Sequence, residues 1–474
     1  MTTPPVSRRP VALASTLALA ACAGLGLLAA APAQAAGFQL NETSASGLGN
    51  AYAGGAAAAE DASTLWSNPA GLSRLGDKRQ LVGVLNLVTP AIRFHNGASV
   101  AATSQALGGD GGDAGGLNVV PNLYFAMPLS RDLVAGVGVN TPWGLVTDYD
   151  AGWAGRFLAD KSDIMTLNVN PGLSFKVSPT LSLGAGLNWQ RMVAEFTNDV
   201  NYSAALLSAA MSNGIAAGSA TFNAIAAATA GQVSAARIKG SDNGWGWNVG
   251  LLWDLSPAQR VGLSYRSAVK YRLEGSARFS NPTVTVAGAL GPTVAALVNG
   301  VNTQATFDTD VTADVKLPPV ANASYFHQLS PQWDLMVDLQ WTGWSTIETL
   351  RFVRSNGSTL QSTPENFKDS WKLAVGGNWR LGGPWTLKGG VAYDQTPVRD
   401  AFRTPRLPDS DRTWLALGVQ YRPSAAWRLD AGAAYLWGKQ ATIRENAAAS
   451  GGGVLDGHYK NHTTIFSGQA TWSF

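Results

Sequence analysis

Between Trp333 and Thr342, apolar and polar residues take turns along the chain. Trp333, Leu335, Val337, Leu339 and Trp341 fall on one face, and Asp334, Met336, Asp338, Gln340 and Thr342 on the other. The same rhythm sets Leu181, Leu183, Ala185, Leu187 and Trp189 against Ser182, Gly184, Gly186, Asn188 and Gln190. It recurs where Trp385, Leu387, Gly389, Val391 and Tyr393 alternate with Thr386, Lys388, Gly390, Ala392 and Asp394. Side chains on a strand point to opposite faces with period two, so each segment reads as a strand with one greasy face. A helix across a membrane needs about 18 or more consecutive apolar residues, and beyond residue 35 no such run exists. If this chain spans a membrane, it does so as a closed barrel.

Residues 1–35 carry a basic start (Arg8, Arg9), an apolar run from Val11 to Ala31 and the small-residue site Ala33-Gln34-Ala35. That order predicts an export signal cleaved before Ala36. Leu19-Ala20-Ala21-Cys22 also has the shape of a lipoprotein box, but lipidation there leaves the apolar AGLGLLAAAPAQA exposed. Cys22 is the only cysteine, so the exported chain has no disulfide framework. It keeps 32 basic against 31 acidic residues, a net charge of +1 that suggests neither nucleic acid nor an acidic partner. Only 14% of residues are charged while Trp numbers 17, a balance suited to a surface that meets lipid as well as water.

A soluble sandwich alternates too. Aromatic residues at strand ends, strands of about ten residues and short turns such as Leu381-Gly-Gly-Pro384 favour a transmembrane barrel with interfacial girdles. Such segments run from about Gln80 to the end. The last one places Phe466, Gly468, Ala470, Trp472 and Phe474 on one face. Bacterial outer-membrane barrels characteristically end on such an aromatic strand, which the barrel-assembly machinery reads.

Two stretches break the rhythm. Residues 200–236 carry no charged residue and include AALLSAAM and FNAIAAATA; residues 281–304 include VTVAGALGPTVAALVNG. Long loops with apolar content suggest a binding surface, with Leu206, Leu207, Val294 and Leu297 as groove candidates. The four histidines (His95, His327, His458, His462) sit beside no nucleophile motif. His458 and His462 have helical metal spacing, but they lie on a strand, where that offset separates them. Neither a metal, a cofactor nor an enzyme is expected; a barrel lipase and a non-selective porin are the contrasting classes.

The segment AGFQLNETSASGLGNAYAGGAAAAEDASTLWSNPAG resembles the N-terminal plug of the FadL/TodX-type outer-membrane transporters, including its Asn68-Pro69-Ala70. VPNLYFAMPL, TPWGLVTDY, WTGWS and LPDSDRTWLALGVQY also resemble that family's strands and turns, in the right order from Ala36 to Phe474.

The resemblance implies an all-β, antiparallel barrel of fourteen strands in the outer membrane of a Gram-negative bacterium. Residues 36–78 would plug its bore and residues 79–474 form the wall. It implies a monomer that takes up long-chain fatty acids, or neutral aromatic or aliphatic hydrocarbons, through a loop groove, an internal pocket and a lateral gap in the wall. Asn140, Thr141, Pro142, Trp143 and Gly144 match the kink that opens this gap: Pro142 lacks an N–H and Gly144 bends freely. No basic residue falls in a motif that marks the family's carboxylate site; Arg351, Arg354 and Lys368 are the nearby candidates.

Overall fold

The computed structural model describes residues 37–474. The export signal and Cys22 lie outside the described residues.

Twenty strand segments form one sheet that closes on itself. Six staves of the barrel are each broken once, so the segments make fourteen staves, each antiparallel to the next. The first stave is Gln80–Asn96, the second Asn118–Pro128, and the third Leu133–Asn140 resuming at Gly144–Asp148. The fourth, fifth and sixth are Lys161–Lys176, Leu181–Asn201 and Val233–Ser256. The last stave, Val454–Ser473, pairs with the whole length of the first, from Gln80↔Ser473 to Asn96↔Gly457. This closure leaves the first and last staves no free edge, as strands in lipid require.

Burial follows the alternation read from sequence. Outward residues such as Leu183, Leu187, Leu339, Leu373 and Leu417 are exposed, while Asn168, Asn188, Asp338, Lys388 and Gln469 face inward and are buried. Trp333 stacks on Trp379 (5.2 Å) and Trp385 on Tyr421 (4.4 Å) at the rim of short turns. Eight residues further along the same two staves as the first pair, Trp341 lies opposite Trp371. These rows are the interfacial girdles of an outer-membrane barrel.

Residues 37–79 contribute no stave. They contact inward faces round the ring, from the first stave to the last. Asn68 Nδ2 donates to Ala56 O (2.7 Å) within the segment and to Leu251 O (3.0 Å) on the wall, while its Oδ1 accepts from Ala70 N (3.0 Å). Pro69 opens a 3₁₀ turn, Pro69–Arg74, where its missing N–H costs nothing. Gly250 and Gly262 let the segment lie this close: a Cβ on either would run into Asn68 or the Ala56 carbonyl. The segment that pairs poorly as a strand thus packs through turns and side-chain bonds.

Outside the wall, Tyr202–Ser212 and Ala220–Ala228 form helices in the long 202–232 connection, and Gly291–Gln304 forms a third. The strands extend further than the alternation indicated, through Asn201 on one side and from Val233 on the other.

Candidate functional site

The third stave is where the wall departs from a simple ladder. Its first part pairs with the second stave from Pro128↔Val134 to Leu123↔Val139. Its second part, Gly144–Asp148, pairs only with the fourth stave. Asn118–Asn122 of the second stave correspondingly pair only with the first. Between them lies a break in the hydrogen-bond ladder, bounded by Asn140, Thr141, Pro142, Trp143 and Gly144. The free edge is taken up from inside: Leu40 N donates to Pro142 O and Gly144 N to Phe38 O, both at 2.9 Å. Trp143 packs edge-on against Phe38 and Trp344, with ring centroids 5.9 and 5.4 Å apart.

Phe38 also lines an apolar slot of about 60 Å³ with Leu145, Ile164, Met192, Phe196, Leu273 and Phe367. Two lining residues are charged types, Glu365 and Arg406. Arg406 is buried at 5% exposure and also lines a wider, more polar cavity of about 380 Å³ on the loop side. Its Nη1 donates to Lys161 O, Ser162 Oγ and Thr197 O (3.3 to 3.4 Å) and its Nη2 to Asn198 Oδ1 (3.2 Å). Its guanidinium lies 5.2 Å from the Phe196 ring. Among the described residues it makes no ion pair: Glu365, Glu445 and Asp160 face it from beyond 4.0 Å. Burial pushes Arg406 down to about 10, still protonated at neutral pH. Burial, then the Glu445 charge, pushes Glu365 up to about 8, so its carboxyl is largely neutral there, while burial raises Glu445 and Asp160 to about 7 and leaves them only partly ionised beside the cation.

The three basic residues chosen from sequence do not reach the slot. Arg351 bonds Thr359 Oγ1 (2.7 Å) in the open, Arg354 donates to Ala305 O (2.7 Å) beside Phe307, and Lys368 is exposed. Arg406 stands one residue before the quoted LPDSDRTW, in a Pro-rich connection that no strand pattern marks. Leu206, Leu207, Val294 and Leu297 do come together, but as the interior of the helix cluster with Tyr202, Ile225 and Val301. Their burial (0 to 5% exposed) corrects the expectation of an open apolar groove made by these side chains. His95 stacks on His458 at 5.1 Å, and among the described residues no group of three metal-ligating side chains gathers.

The model of the outer membrane protein transport protein family (OMPP1/FadL/TodX) matches residues 26–474. The chain belongs to the OMPP1/FadL/TodX family. A family relative, the 47 kDa outer membrane protein of Pasteurella multocida, is 31% identical, over 88% of this chain and 90% of its own length. The long-chain fatty acid transport protein of Escherichia coli K12 is 29% identical, over 87% and 90%. A solved FadL homologue from Pseudomonas aeruginosa superposes with a TM-score of 0.81 at 27% identity, over 92% of this chain and 99% of that one. Family membership and the closed barrel together place this OMPP1/FadL/TodX protein in the outer membrane, as a transporter and not an enzyme.

Proposed function

We propose that the protein carries long-chain fatty acids across the outer leaflet and releases them sideways at the third-stave break. One observation carries the choice of substrate: the apolar slot ends on Arg406, a buried cation without an ion pair among the described residues. A buried charge is costly unless matched, and a carboxylate matches it while its chain gains about 0.8 kcal/mol per CH₂ from the apolar wall. At about 60 Å³ the slot holds a short length of chain; a longer one displaces Phe38 on the kink side. Residues 36–78 act as the plug, with Asn68, Pro69 and Ala70 fixing its inner turn, so the ligand is denied a straight path to the periplasm. The break at Asn140–Gly144 gives it an exit in the plane of the membrane. The helices of 202–232 and 291–304 cover the entrance above the wider cavity. A single barrel houses this route, so a monomer suffices, and the terminal strand ending at Phe474 serves as the assembly signal.

A neutral hydrocarbon is the second reading, favoured by the otherwise apolar lining of the slot. Replacing Arg406 by Met separates the two. Fatty-acid binding should weaken about tenfold or more, as loss of a charged hydrogen bond implies, while binding of an alkane of equal length holds. Equal binding of both ligands before and after the change would assign the neutral substrate.

A further inference from the structure

A second buried cation lies beside the break, apart from Arg406. Arg266, 8% exposed, lines a cavity of about 70 Å³ together with Pro142 and Trp143 of the kink, Trp66 and Pro69 of the inner segment, and Asn248 of the sixth stave. Its guanidinium rests on the Trp66 ring (3.4 Å) and its Nη2 donates to Trp66 O (2.6 Å). Its Nη1 donates to Asn188 Oδ1. Among the described residues Arg266 has no carboxylate partner, and its Nε makes no hydrogen bond.

Arginine can only donate, and that fixes the direction of a chain of amides. Asn188 must turn its oxygen to Arg266, so its Nδ2 points to Asn248 Oδ1 (3.0 Å). Asn170 Nδ2 donates to the same oxygen at 3.0 Å. Asn248 is therefore held with its oxygen fully used and its Nδ2 left over. That nitrogen is buried, in a residue 2% exposed, and has no partner. At the edge of the break, Asn140 is in the same state: its Oδ1 accepts from Asn168 Nδ2 (2.9 Å) and its own Nδ2 is unpaired. The unused Asn248 donor and the unmatched Arg266 charge thus line one cavity, with Asn140 just outside its lining on the kink, and a buried donor left unpaired costs about 1–3 kcal/mol. The cavity's carboxylate, Asp338, is already engaged by the Ser324 hydroxyl.

We propose that Arg266 and the Asn248 amide form a second carboxylate-binding station at the lateral exit, to which the head group passes after leaving Arg406. The assignment rests on the fatty-acid reading. Phe38–Leu40 stands between the two stations: Phe38 lines the slot, and Gln39 and Leu40 line the kink cavity. Movement of that short segment joins them. The second station shortens the step in which a charged head group leaves protein contacts for the lipid interface.

Crystals of the protein grown with an α-brominated long-chain fatty acid locate the head group by anomalous scattering. Two bromine positions are expected, one beside Arg406 and one beside Arg266. Arg266→Met should remove the second alone and slow cellular uptake about tenfold, with Arg266→Lys restoring part of the rate. Asn248→Ser, which keeps the cation, serves if Arg266→Met does not assemble, and should weaken the same position. Bromine beside Arg406 only, in wild-type protein that transports normally, overturns the second station. Bromine at neither position overturns the fatty-acid reading beneath it.

Discussion

Gln39 and Trp143 face each other in an isolated antiparallel bridge, by which the inner segment extends the sheet at the broken stave. The bridge is held by two backbone bonds, Leu40 N to Pro142 O and Gly144 N to Phe38 O. Pro142 cannot donate, so the kink offers the second stave no continuous edge. Replacing Pro142 and Gly144 by Val restores a donor and favours extended pairing. The double variant should assemble and bind a hydrophobic ligand, yet deliver it several-fold more slowly. Delivery at the wild-type rate, with pairing continuous through Trp143 in a crystal structure, would send the ligand out by another path.

The inner segment makes its own prediction through Asn68, whose amide ties it to Leu251 on the wall. Deleting residues 38–70 should leave an assembled barrel with single-channel conductance well above that of the intact protein. A folded deletion that conducts no better would remove the plug from the mechanism.

Glu365 makes ligand affinity depend on pH. It shares the slot with Arg406 and is pushed up to about 8 by burial. Below that pH its carboxyl is neutral and Arg406 is available; above it the new anion competes for the cation and repels the ligand. Glu445 and Asp160, which also face Arg406, are raised by burial to about 7, so fatty-acid affinity should begin to fall as pH rises through about 7 and continue to fall through about 8. The sign for stability is the same, because a group whose folded value is raised above its ordinary 4.5 loses its contribution as pH rises toward the folded value. Glu365→Gln should remove the part of the fall near pH 8 and leave the part near 7, which titration calorimetry at several pH values would read.

The helix cluster above the barrel responds differently from an open groove. Leu206 and Val294 are 0% and 1% exposed and pack together. Leu206→Ala should cost about 2–5 kcal/mol of local stability, so limited proteolysis should cut within residues 202–232 much faster, with the barrel itself intact. An unchanged digestion pattern would place these side chains in the open.

The wall was legible because its rule is local: period-two alternation, aromatic ends and short turns repeat in every stave, and each residue's exposure follows from its parity. The expectation at Asn140–Gly144 drew on a local signal too, a missing ladder donor at Pro142 and a free backbone at Gly144, but proline alone does not mark a break: Pro90 and Pro121 stay inside continuous pairing. Arg406 was not legible, because nothing along the chain tells a buried arginine from a solvated one; its neighbours Lys161, Asn198 and Phe196 come from two distant staves. The loop candidates show the same limit. Apolar residues at helical spacing mark a covered face, but whether another helix or a ligand covers it depends on Gly291–Gln304, more than sixty residues beyond the last residue of the first loop helix.

The paired tryptophan rows have a consequence for the membrane around the barrel. Trp333 and Trp341 lie eight residues apart on one stave, and Trp379 and Trp371 match them on the next. With a rise of about 3.4 Å per residue and a tilt near 40°, the belt between the rows stands roughly 20 Å high. That is well short of the hydrocarbon core of an average bilayer, about 30 Å, and nearer to the thinner outer membrane, where an apolar band of about 25 Å is usual. Reconstitution into long-chain lipids therefore imposes a hydrophobic mismatch along this sector, and short-chain lipids relieve it.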